Sequence, residues 1–158
     1  MRFLDYLKRF TYTPNEFYDH LKGLEDAAGG DVKLNILPAA PLEVAPGDMD
    51  GFVQDVTVQV VNNADEVLTW YNGILNVKAV NGSGSGTIAI NEEAPGTAGA
   101  DVDEDLQFEN GILKLKLTYG GTWVDEEDVA LTVAGDNKTI CGYAVKVEEH
   151  DIITVAEE

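Results

Sequence analysis

A mainly β fold of short antiparallel strands, in a sandwich or barrel, is what this sequence predicts, and three observations predict it. Apolar and polar residues alternate in several runs between residues 50 and 134, most cleanly where Leu113, Leu115, Leu117 and Tyr119 interleave with Lys114, Lys116 and Thr118. Turn-forming glycine, asparagine and aspartate separate those runs at short intervals. The clearest helical spacing of apolar residues lies in the first 30 residues. A chain of 158 residues can bury one core, removing roughly two-thirds of its unfolded surface from water.

Residues 1–30 read as a short α-helical segment. Phe3, Leu4, Leu7 and Phe10 recur at helical spacing. Thr13-Pro14-Asn15-Glu16 then supplies a capping threonine, a proline at the first helical position and a glutamate that completes a capping box. Phe17, Leu21 and Leu24 form one stripe, and Gly29-Gly30 ends it. Helices this short are marginal alone, so they must pack on the rest of the chain or on a partner. Residues 31–50, with Pro38, Pro41 and Pro46 among single apolar residues, read as an extended linker with a short strand at 32–37 and an edge strand at 42–45.

The strand region spans 51–135. Val56, Val58 and Val60 face one way, as do Leu75, Val77 and Ala79; Ile88 and Ile90 follow a Gly/Ser tip, and Val129, Leu131 and Val133 form a further strand. Residues 91–105, polar and rich in small side chains, read as a flexible or functional loop. Residues 136–158 read as a terminal β-hairpin that either completes the main fold or forms a small sheet with 32–37.

Charge narrows the partners. Ten basic residues stand against 29 acidic ones, a net charge of −19, which argues against nucleic acid because phosphate binding needs clustered Lys and Arg. The acid is unevenly placed: residues 1–30 are close to neutral, whereas the remainder carries nearly all the excess. A near-neutral front end can approach another surface while the acidic body stays solvated. No run approaches the ~18 apolar residues of a membrane span, and the first ten residues lack the apolar stretch of a signal peptide. Cys141 is alone, which allows folding in a reducing compartment and suits a small core residue better than a nucleophile.

Catalytic signals are weak. Asp101, Asp103 and Asp105 alternate like the first ligands of a calcium loop, but Leu106 occupies the sharp-turn glycine position and Ile112 that of the bidentate glutamate. They are a weak metal candidate, and a solvated acidic loop is the plainer reading. Gly82-Ser83-Gly84-Ser85-Gly86 lacks the lysine of a phosphate loop and reads as a hairpin tip. Ser83 and Ser85 are the only serines, remote from His20 and His150, so no hydrolytic triad is expected; two histidines and one cysteine argue against zinc. Of the adjacent Trp70 and Tyr71, one must point inward and the other outward, with Trp70 expected inside; Tyr71 and Trp123 are then candidates for surface ligand contact.

From Val56-Thr57-Val58-Gln59-Val60, through Trp70-Tyr71-Asn72-Gly73, the Gly82–Gly86 tip and Phe108-Glu109-Asn110-Gly111-Ile112, to Asp128–Val133, the chain resembles bacterial and bacteriophage immunoglobulin-like domains. The resemblance covers slightly over half the chain and implies an immunoglobulin-like antiparallel β-sandwich. It also implies a non-enzymatic virion structural protein without cofactors, most simply a capsid decoration or head-fibre type protein that folds in the host cytoplasm and resides on the virion. Phe3, Leu4, Leu7, Phe10, Phe17, Leu21 and Leu24 would dock it to the major capsid protein or other virion subunits, and a homo-oligomer is compatible with this role. A tail or baseplate subunit is an alternative. So is a carbohydrate- or cell-surface-binding module using Tyr71, Trp123 and calcium at 101–105.

Overall fold

The computed structural model describes residues 32–82, 84–91, 93–133, 139–140, 143–145 and 149–157. The expected helices at 1–30, with their seven apolar docking candidates, lie outside the described residues, as does Cys141. In chain order the strands are β1 Lys33–Leu37, β2 Leu42–Val44, β3 Val53–Val61, β4 Ile74–Asn81, β5 Gly86–Ile90, β6 Val102–Gln107, β7 Ile112–Gly121, β8 Asp128–Val133, β9 Thr139–Ile140, β10 Tyr143–Ala144 and β11 Glu149–Val155. They form one sheet in the order β1-β3-β7-β5, a second in the order β2-β11-β8-β4-β6, and a β9-β10 pair.

Alternation dictates the layering. Val56, Val58 and Val60 of β3 and Leu113, Leu115, Leu117 and Tyr119 of β7 turn inward from the first sheet. They share one core with Leu75, Val77 and Ala79 of β4 and Val129, Leu131 and Val133 of β8 from the second. Each fully buried aliphatic side chain contributes about 1.5–3 kcal/mol relative to exposure. A polar tie also crosses the core: the Tyr119 hydroxyl donates to Gln54 Oε1 at 2.7 Å, and Gln54 Nε2 donates to the Ile152 carbonyl at 3.0 Å. Ile152 sits at an irregularity in the β8–β11 register, where it and Ile153 are both buried.

Two sequence motifs interlock at one end. Asn110 and Gly111, with φ of 52° and 78°, make the two-residue turn that leads into β7, a conformation Asn-Gly adopts readily. The Trp70–Gly73 segment clamps that turn. Tyr71 O accepts from Gly111 N–H at 2.7 Å, Gly73 O from Phe108 N–H at 2.9 Å, and Asn72 Oδ1 from Asn110 N–H at 2.9 Å. The Tyr71 ring meets Phe108 edge-on at 5.6 Å.

The short strands expected at 32–37 and 42–45 are present: β1 pairs antiparallel with β3, and after Pro38-Ala39-Ala40-Pro41 the chain enters the other sheet, where β2 pairs parallel with β11. The 91–105 stretch is not one free loop. Gly96 N–H donates to the Ile88 carbonyl and Gly99 N–H to that of Gly86, covering the edge of β5, and strand β6 already begins at Val102. Within 136–158, β11 is a full strand of the second sheet between β8 and β2.

Candidate functional site

The aromatic candidates are core residues. Tyr71 is 9% exposed and Trp123 3%, so neither presents a ring to a surface ligand. Trp123 lies over Gly86, where a Cβ would collide with its indole; its Nε1 donates to the Gly120 carbonyl at 2.9 Å, and its ring meets Tyr119 edge-on. The expected split of the Trp70-Tyr71 pair into one inward and one outward ring does not hold, because the pair lies outside any strand: Tyr71 is drawn in against Phe108 and over Gly73, and Trp70 is half-buried against the same core.

The three aspartates alternate because they lie along a strand rather than around an ion. Asp103 and Asp105 project outward from β6, beside Asp101 just before it, and a strand's rise puts same-face neighbours about 6–7 Å apart. Their partners are protein groups. Asn76 Nδ2 donates to Asp103 Oδ2 at 3.1 Å and Asp105 Oδ1 at 3.0 Å, and Lys78 Nζ pairs with Asp101 at 2.9 Å. The hydrogen bond that Lys78 donates to Asp101, then the charge of Asp101, raise the Lys78 pKa, with smaller help from Asp103 and Glu149. Among the described residues no three carboxylate, histidine or cysteine side chains converge as a metal site would require.

The expected hairpin tip is instead a crossover, because β4 belongs to the second sheet and β5 to the first; there Ser85 donates its hydroxyl to the Thr122 carbonyl, and His150 Nε2 lies 3.0 Å from the Pro38 carbonyl, so each serves a local structural contact. A groove of 470 Å³ opens beside the β6–β7 turn, lined by Gln107, Glu109, Asn110, Ile112, Leu113 and Lys114. It lies where β5 ends opposite Leu117 and, among the described residues, leaves residues 112–115 without a paired strand on that side.

The chemical character of the surface divides between the two sheets. Outward positions of the second sheet hold Glu43, Asp103, Asp105, Asp128, Glu149 and Asp151, with Asp101 beside them and Lys78 as the single cation. Outward positions of the first sheet hold Lys33, Lys114 and Lys116 among Asn35, Thr57, Gln59 and Thr118, with Asp55 as the single acid. The sequence marks Lys114 and Lys116 as the polar half of β7 but does not show that Lys33 shares their face. The signal was the acid-poor spacing of 53–61 and 112–121 in so acidic a chain.

No family model matches the chain, and no curated protein matches it in sequence. Among solved structures it is similar to a conjugative transposon lipoprotein from Bacteroides eggerthii, at 12% identity and a TM-score of 0.42 over 77% of this chain and 95% of that one. It is also similar to AvmM, which catalyses macrocyclization in alchivemycin A biosynthesis, at 8% identity and a TM-score of 0.43 over 81% of this chain and 90% of that one. Likeness at these scores carries no argument about this chain's chemistry.

Proposed function

We propose that the chain is a non-enzymatic virion structural protein, an auxiliary capsid decoration protein built on an immunoglobulin-like β-sandwich. The observation that carries the fold part is the split first strand. Its opening half, β1, pairs antiparallel with β3 in one sheet, and its second half, β2, pairs parallel with the last strand, β11, in the other. The orders β1-β3-β7-β5 and β2-β11-β8-β4-β6 support this reading, with β5 and β6 as the departure, since the chain visits the first sheet before adding the second sheet's edge strand.

The virion role is supported by the motifs that resemble phage immunoglobulin-like domains, now interlocked at Tyr71–Gly73 and Phe108–Gly111, and by an acidic, extensively hydrogen-bonded surface suited to display. In this reading Phe3, Leu4, Leu7, Phe10, Phe17, Leu21 and Leu24 dock the chain to the shell. The test is copurification with particles assembled from a major capsid protein encoded beside it. The full chain is expected to bind and a chain lacking residues 1–30 to stay folded and unbound. Particle binding unchanged by that truncation removes the docking assignment, and a gene neighbourhood without capsid, portal or protease genes removes the virion role.

A further inference from the structure

We propose that the outer face of β1, β3 and β7 is a docking face for an acidic protein surface. The inference is independent of the assembly to which that surface belongs. Three of the four lysines among the described residues project from this face, in a chain whose net charge is −19. Lys114 and Lys116 have no carboxylate within ion-pair distance among the described residues; Asp55 lies across from Lys116 in the strand register without pairing to it. Lys33 has Asp65 at 3.7 Å, but both side chains are well exposed and such a pair is weak.

The ammonium groups sit in a field suited to contact. Leu37, Thr57 and Lys114 form one row across the three strands, Asn35, Gln59 and Ile112 the next, and Val53 is paired with Thr118 further along. Val53 is 47% and Leu37 37% exposed, so apolar area lies beside the lysines. Uncharged, short side chains with apolar neighbours resemble the charge-depleted centre of a protein interface, and the lysines supply the sign of the partner. Duplex nucleic acid or a lipid phosphate layer would call for a denser cation array. A second copy would have to meet this face with its own carboxylate face, a head-to-tail contact that builds a ring or a filament rather than a two-fold dimer.

Distance decides whether the acidic back of the molecule cancels the attraction. The sheets of a two-layer β fold lie ~10 Å apart, and the Debye length is ~8 Å at physiological salt but ~30 Å at 0.01 M. At physiological salt a partner on the lysine face is therefore largely screened from the far carboxylates. At very low salt it feels the whole −19, and at ~1 M the lysine attraction itself is screened. Binding should pass through a maximum with ionic strength, unlike a simple cationic patch.

The experiment uses the full chain with immobilised polyglutamate as the probe, supported by amide NMR mapping. The wild type is expected to bind best near ~0.15 M salt and more weakly at ~0.01 M and ~1 M. Shifts should concentrate on outward residues of β1, β3 and β7, and Lys114→Glu/Lys116→Glu should weaken binding by about tenfold or more. Lys114→Gln/Lys116→Gln, which keeps the face uncharged, serves if the reversal perturbs folding, and Lys78→Gln on the other face should bind as the wild type does. Binding retained by the Gln pair, shifts centred on residues 1–30, a monotonic salt profile, or dimerisation of the free chain through this face would each overturn the proposal.

Discussion

The two outer faces of this molecule share a backbone geometry and differ in almost everything else. On the second sheet, carboxylates crowd β6, β8 and β11, and the groups that moderate them, Lys78 and the amide of Asn76, are already engaged. On the first sheet, lysines stand among threonine, glutamine and exposed aliphatics with little acid to engage them. A charged edge strand such as β6 discourages pairing with other chains, whereas an acid-poor face permits contact. The same alternation that builds the core thus sends repulsion to one side and docking capacity to the other.

This contrast holds only while the core keeps the faces back to back, so the largest expected effect comes from breaking that core. Trp123→Ala, which empties the space over Gly86 and beside Tyr119, should cost about 3–5 kcal/mol in urea denaturation. A loss under about 1 kcal/mol would show that Trp123 is not a core support. Tyr119→Phe comes next, because it strands Gln54 Oε1 in the tie between the sheets, and should cost about 1–3 kcal/mol.

The same tyrosine gives a pH signature. Burial pushes its hydroxyl well above its ordinary value, so the folded chain holds the proton while the unfolded chain releases it above about pH 10. The unfolded state then binds fewer protons, and stability falls as pH rises past that point, by up to about 1.4 kcal/mol per pH unit. Below it this group contributes no slope. Denaturation of Tyr119→Phe across pH 9–12 should lack that component, and an identical slope in the variant would assign it elsewhere.

Surface changes sharpen the comparison with smaller effects. Asn76→Ala removes the donor shared by Asp103 and Asp105, and the loss should be larger at low salt than at high salt; a salt-independent loss would point to packing instead. Lys116→Thr on the opposite face should change stability by about 0.5 kcal/mol or less, leaving any effect of that substitution to appear in binding.

Much of the fold was legible because period-2 alternation reports directly which side chains turn inward. The inward sets of β3, β4, β7 and β8 were read from Val56, Leu75, Leu113, Val129 and their partners two residues on. Alternation misleads where its phase or context is undetermined. It predicts one of Trp70 and Tyr71 inward and the other outward, but the pair lies outside any strand and both rings pack on the core. It is also common to a strand face and to the early ligands of a calcium loop, so Asp101, Asp103 and Asp105 alone could not separate the two.

By itself, then, the sequence determined strand character, turn positions, the inward set of each regular strand and an unusually acidic body, because these follow from local spacing and composition. Only the tertiary structure decided which sheet each strand joins, how Trp70–Gly73 clamps Phe108–Gly111, and that Lys33, Lys114 and Lys116 share one face. Those depend on hydrogen-bond ladders between segments far apart in the chain. The free energy of such a ladder is set by the partner strand as much as by the strand itself.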